Sequence, residues 1–514
     1  MEGQANYIAE WEALGNWELG ERYFERLMTT RADDVREMAR RYLREDQVGV
    51  LVYRPENSPV VAPSAELMRA RLERATATPL EPASSQERPA PTNNVARPTR
   101  ERMEAGVHVY RLPSGVPVLV KRRVGTPLVY AGVFALGGVS RESIDVGGRT
   151  LLMARTALKG TTRRTAVQIA EDGEMLGGSV GTVVGADSVG WTISVPTSHG
   201  AAAIELLADV AQHPTFDAAA LETERAVALA DLATLRDDMY RYPMRLAVQA
   251  AFPGHPYGVP SLGTETSLQA QTSADLAAWH QAELLTSPSV IALVGDGDPD
   301  ELAALAGRHF TELRFAEPAP LPEPEWPTTV VTAVEKREKA QTAIVLSWPA
   351  PSRRDPARFD VAMLAGVASG LGGRLFEELR DKQSLCYTVH AFSSERRVAG
   401  MFHAYIATSP DKEGIARDGL IAELEKLRET PVTDEELHRA KTYAIGTHAI
   451  RQQSGGAVLG ELVDAWMFGQ LSELEEYERR VRTVTAHGIR ATARQYFAMD
   501  RRVEGIVRGV GKAV

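Results

Sequence analysis

A single cysteine in 514 residues, Cys386, excludes an intramolecular disulfide and any site built from several thiolates. It stands at the start of a strand-like stretch and reads as a small buried residue. No uninterrupted apolar run reaches about eighteen residues, so no transmembrane helix and no membrane insertion are expected. The N-terminal MEGQANYIAEWEAL lacks the basic and then apolar layout of a signal peptide, and localisation stays open between cytoplasmic and periplasmic. Positive charge is in deficit, with 58 Lys and Arg against 68 Asp and Glu and a net charge of −10. That balance argues against a phosphate-binding face, and nucleic acid is not an expected partner. None of the eleven histidines stands in a His-x-x-x-His or His-x-x-Glu-His spacing, so no metal is assigned to this chain.

What is present is globular: 44% of residues are hydrophobic and 25% charged. The length exceeds one ordinary core and calls for two or three domains. Residues 17–28 and 32–43 have helical patterns and Val48 to Tyr53 reads as a strand. The same order returns near the C-terminus, with Val35 aligned on Ile489, Ala39 on Ala493 and Tyr42 on Tyr496. A weaker copy runs from Ser273 to the strand Val290 to Val294. Residues 1–55 are therefore expected to be the C-terminal tail of a preceding module whose sheet lies elsewhere. Residues 56–101, with seven prolines, read as a linker containing one helix over Glu66 to Ala75. From Val107 two strands alternate about the turn Pro113-Ser114-Gly115. Strands are expected over Leu128 to Leu136, Gly181 to Val184 and Val189 to Val195, and helices over Arg149 to Leu158, after Thr165, and through Gly200 to Arg236. Residues 316–330 form a second proline-rich linker, and a strand Thr342 to Trp348 opens the final module. Thr433 with Glu436 fits a capping box, and Val432 can staple to Leu437. The fold class is α+β: tandem modules, each a mainly antiparallel sheet with helices packed on one face.

The stretch from Ser369 to Phe392, SGLGGRLFEELRDKQSLCYTVHAF, carries the chemistry. Gly370, Gly372 and Gly373 let backbone approach a bound chain, with a φ > 0 available to each. A helix is expected from Arg374, closing at Arg380, and Tyr387 is expected to open a strand. A permanent cation and a phenol on one rim suit an oxygen that gains negative charge. With its flanks AFSSERRVAGMFHAYIATSP and VTDEELHRAK, this stretch resembles the second half of M16 (insulinase/pitrilysin-like) metallopeptidases. There a helix ends in Arg and a Tyr follows seven residues later.

Residues 102–315 resemble the zinc-type domain of the same family through ALKGTTRRTA, EMLGGSVGTVVGADSVGWTISVP, LETERAVAL and HPYGVPSLGTETSL. At the family's inverted zinc motif this chain has Leu151, Ala154 and Arg155, none able to do the work of His, Glu and His. Glu224 matches the third ligand and is read as a surface or ion-paired residue; His213 and His255 are read as structural. The resemblance implies tandem domains, 102–315 degenerate and 331–514 with the glycine loop and Arg/Tyr pair. It implies a non-zinc half in which Arg380 and Tyr387 are catalytic and Gly370, Gly372 and Gly373 bind peptide substrate. Zinc would then belong to a partner half, either a separate subunit in a heteromer or a missing N-terminal portion. The alternative is a non-catalytic scaffold or peptide-binding subunit of the same fold.

Overall fold

The computed structural model describes residues 2–54, 58–75 and 97–511. The chain divides into two compact units, residues 1–88 and 89–514.

The first unit is helical: Glu2–Ala13, Glu18–Thr29, Ala32–Tyr42 and, further on, Ala65–Ala75. Apolar periodicity and the Asp34 carboxylate, which accepts from the Arg31 N–H, set the third of these helices. Val48 to Tyr53 forms no strand, contrary to expectation, because nothing in the unit offers it a ladder; Leu51 is 94% exposed.

The second unit holds two sheets. The first contains β1 (Thr99–Glu104), β2 (Val107–Arg111), β3 (Pro117–Arg122), β4 (Leu128–Leu136), β5 (Gly181–Val184), β6 (Ser188–Pro196) and β7 (Ser289–Gly295). β1 draws in residues expected to end the linker; residues 56–57 and 76–96 of that stretch lie outside the described ones. The second sheet contains β8 (Val331–Arg337), β9 (Thr342–Ala350), β10 (Cys386–Glu395), β11 (Gly400–Thr408) and β12 (Val503–Gly509). β8 precedes the strand expected to open this module. Its alternating, mostly half-exposed residues give it little apolar signal.

The strand orders reveal a repeat. The first sheet reads β1-β2-β3-β7-β4-β6-β5 and the second, in reverse of its edge-first order, β8-β12-β9-β11-β10. β3 and β8, β7 and β12, β4 and β9, β6 and β11, β5 and β10 therefore occupy equivalent places. Each module's last strand lies between one parallel and one antiparallel neighbour, β7 between β3 and β4 and β12 between β8 and β9. Flanked on both sides, β7 and β12 are almost wholly buried. All other pairings are antiparallel.

Each sheet carries its own module's helices on one face, as expected, and a helix of the other module on the second. The module's own helices pack on one face, around Trp191 in the first and Trp348 in the second. The other face is covered by a helix from the neighbouring module: Arg241–Ala251 crosses onto β8, β9 and β12, and Gly455–Met467 crosses onto β4 and β7. Both crossing helices carry an apolar stripe that their own sheet does not use, a partner choice that periodicity cannot specify.

Two histidines are locked neutral in these cores. His403 lies between the hydroxyls of Ser347 and Ser394, and burial pushes its pKa down to about 3. His280 donates from Nε2 to the Ala211 carbonyl, and burial lowers it to about 4. An unfolded histidine titrates near pH 6.5, so below that pH the unfolded chain binds protons that the folded chain refuses. The stability each neutral ring contributes is thus full above about 6.5 and declines as pH falls. We expect the chain to lose about 3 kcal/mol between pH 6.5 and 4 relative to a His403→Gln variant. Urea unfolding at both pH values reads the difference; an unchanged gap between the two proteins would show that His403 does not titrate in this way.

Candidate functional site

The helix Arg358–Ala368 ends at Ser369, whose hydroxyl accepts from the Ala391 N–H and so ties the glycine loop to β10. Gly370 has φ +87°, and at Gly373 a Cβ would stand 2.2 Å from the Ser369 carbonyl oxygen, so both positions demand glycine. Gly372 does not: its backbone is not left-handed, and a Cβ there would meet only the Arg439 side chain at ordinary contact distance. The loop tip, Leu371, is 81% exposed.

From Phe376 to Lys382 the chain is a π-helix, so the helix neither keeps α geometry nor closes at Arg380 as expected. Such wide turns are rare and concentrate where a side chain must be re-aimed. Leu375 and Leu379 anchor it in the core. Arg374 anchors it from the side through a two-pronged pair with Glu436, at 2.6 and 2.8 Å. Glu436 also accepts from the Thr433 N–H in the expected capping box. The Arg374 guanidinium holds the Glu436 carboxyl down at about 2.

β10 opens at Cys386, and its first pairs with β11 are Cys386 with Thr408 and Thr388 with Ala407. Tyr387 is the extra residue of a bulge. That removes its side chain from the strand's alternation, and it emerges 78% exposed instead of pointing into the core with Val389 and Ala391. The Arg380 guanidinium carbon lies 4.2 Å from the Phe376 ring centre and 4.9 Å from that of Tyr387. Among the described residues no carboxylate pairs with Arg380. Two rings therefore position its charge without neutralising it, and the donors remain free for a ligand. Phe376 was not singled out from the sequence, although its place four residues before Arg380 on a helix is a legible signal. Burial raises the Cys386 thiol to about 11, which leaves it inert beside the rim.

The zinc-type positions lie far from metal chemistry. Leu151 and Ala154 are buried in the helix Arg149–Thr156, and the Ala154 carbonyl accepts from the Trp191 indole. Glu224 is buried, not on the surface, and pairs with Lys159 at 3.0 Å; Arg155 pairs with Asp231 at 2.8 Å. Two cations stand where a dication would need ligands, so these residues do not fit zinc. Among the described residues no group of three His, Cys, Asp or Glu side chains is placed to hold a metal ion. His255 accepts at Nδ1 from the Tyr257 N–H and donates from Nε2 to the Pro322 carbonyl, a loop clasp. His213 ends the helix Gly200–Gln212, and its carbonyl accepts from the Thr162 N–H. Among the described residues no helix is long and apolar enough to cross a membrane.

Residues 118–265 match the family model Insulinase (Peptidase family M16), and residues 271–443 match Peptidase M16 inactive domain. The chain is 26% identical over 409 residues to an uncharacterized zinc protease of Mycobacterium leprae, covering 76% of this chain and 89% of that protein. Among solved structures, a peptidase M16 inactive domain from Pseudomonas fluorescens superposes with a TM-score of 0.73 at 22% identity, over 79% of this chain and 98% of its own. A chain of complex III2 from Candida albicans has a TM-score of 0.68 at 16% identity, over 79% of this chain and 96% of its own. Two modules of one topology, with a glycine loop and an Arg/Tyr rim in the second, agree with these matches: the chain belongs to the M16 peptidase family, with an insulinase-type domain followed by an inactive-type domain.

Proposed function

We propose that this chain is the non-zinc half of an M16-like zinc metallopeptidase, inactive alone, which binds peptide substrate and lends Arg380 and Tyr387 to a zinc site carried by a partner. The observation that carries this reading is the rim itself: an exposed phenol set out on a bulge beside a guanidinium that aromatic rings, not carboxylates, hold in place. Arg380 would hold a substrate carbonyl, and Tyr387 would donate to the oxygen that gains charge during hydrolysis. Gly370, Gly372 and Gly373 would let the peptide backbone pass close to the loop.

The first unit supports a partner of the same fold. Val35 is 59% exposed where its counterpart Ile489 is fully buried, and the helix carrying Ile489 packs on the helices Arg358–Ala368 and Glu413–Glu429. Val48 to Tyr53 corresponds to β12, a strand that needs neighbours on both sides. We assign residues 2–54 the role of closing a module supplied from outside the described residues, the zinc-bearing half. The test is mixing: the chain alone should neither bind stoichiometric zinc nor cleave peptides, and a zinc-bearing M16 half should do so only in its presence. Removing residues 2–54 should weaken that association at least tenfold in analytical ultracentrifugation. Zinc-dependent cleavage by the isolated chain would defeat the reading.

The alternative, a non-catalytic scaffold of the M16 fold, is favoured by the ion pairs Lys159–Glu224 and Arg155–Asp231 at the degenerate metal helix.

A further inference from the structure

A cavity of about 520 Å³ lies between the two modules, away from the Arg380 and Tyr387 rim. Its apolar wall includes Val184, Leu235, Val248, Leu262 and Phe392. Three arginines also line it, Arg241, Arg245 and Arg396, and no Asp or Glu does. Among the described residues none of the three has an ion pair. Arg245 donates to the Gly263 carbonyl at 3.2 Å and Arg396 to the Tyr257 carbonyl at 2.8 Å. Nearby carboxylates are spoken for. Asp187 accepts from the Tyr257 hydroxyl and the Arg397 N–H, and Glu335 pairs with Arg337 and Arg236. Asp238 accepts from the Tyr240 and Arg241 N–H groups and so caps the N-terminus of the helix Arg241–Ala251.

Arg241 is exposed, whereas Arg245 and Arg396 are half-buried; in a chain of net charge −10, an apolar-walled chamber that holds two half-buried guanidiniums and no lining carboxylate suits an anion. Arginine's planar fork matches a carboxylate, and the volume admits one side chain with its neighbours but no polymer duplex. Phe392 lies on β10 five residues beyond Tyr387, so an extended peptide leaving the rim reaches the cavity after about 17 Å. Resting on the peptide-binding reading above, we infer that this cavity is a carboxylate pocket that selects peptide ligands bearing an acidic side chain or a free C-terminus.

The test uses the full chain and three fluorescein-labelled ten-residue peptides in polarisation assays: an amidated peptide with one glutamate, its glutamine counterpart, and the glutamine peptide with a free carboxyl terminus. Glutarate serves as the small-molecule probe. At least one carboxylate peptide should bind about tenfold more tightly than the amidated glutamine peptide, the preferred one telling side chain from terminus. Arg245→Gln and Arg396→Gln should collapse the ratio towards one. Met244→Trp, which fills the cavity and leaves the cations in place, should do the same, with circular dichroism checking that each variant folds. Equal binding of all three peptides would overturn the pocket and leave peptide binding standing. Binding of glutarate but of no peptide would overturn both the peptide ligand and the reading beneath it. Binding of neither overturns the proposal outright.

Discussion

In a reconstituted pair with a zinc-bearing half, Tyr387→Phe is expected to lower turnover about 10²- to 10³-fold, the usual effect of removing one donor from a developing oxyanion. Peptide affinity should stay within about threefold, because the ring that flanks Arg380 is kept and the hydroxyl makes no hydrogen bond among the described residues. Arg380→Lys should act differently. A lysine keeps the charge but loses the planar stack over Phe376 and Tyr387, so KM should rise along with the fall in kcat. The pair of variants separates a catalytic rim from a scaffold. Unchanged turnover in Tyr387→Phe, with peptide hydrolysis intact, would assign the rim to binding alone and favour the scaffold reading.

How much of this was legible in the chain depends on whether the signal is local. The hairpin about Pro113-Ser114-Gly115, the helix after Thr165 and the box Thr433–Glu436 appear as expected, because a cap or tight turn is decided within four residues. Val432 and Leu437, named as a staple, are both buried. What stayed hidden depends on distant partners. Val48 to Tyr53 has the composition of β12 and lacks its neighbours, so the same pattern gives a strand in one place and none in the other. The π-helix at Phe376–Lys382 leaves no trace in periodicity over so short a run, yet it and the bulge at Tyr387 aim the two residues that the sequence singled out. Gly372 shows the reverse error. It sits in a glycine cluster, but only its neighbours Gly370 and Gly373 need to be glycine.

The largest stability effect is expected at Glu473, far from the rim. Its carboxylate takes Arg353 at 3.1 Å and Arg358 more closely, and all three residues are buried. Burial opposes the charge on Glu473, but the two guanidiniums outweigh it and hold the carboxyl below the usual range. The cluster joins the parts that the exchange of helices brings together. Arg353 also binds Asp464, on the crossing helix that covers the first sheet, and Arg358 binds Glu395 at the end of β10. Glu473→Gln leaves two buried cations with Glu395, raised by its own burial, and Asp464 to share them. Breaking such a pair from one side costs about 3 to 5 kcal/mol, since the charges left behind keep their desolvation penalty. Asp464→Asn makes the comparison, because that carboxylate is about half exposed and its loss should cost under about 1 kcal/mol. Urea denaturation followed by tryptophan fluorescence reads both. Trp191 and Trp348 lie in the two separate cores, so a Glu473→Gln protein that unfolds in one early step would show that the cluster couples the modules. Equal midpoints for the two variants would mean that the buried charges find compensation elsewhere, and the crossing helix would then owe its place to apolar packing alone.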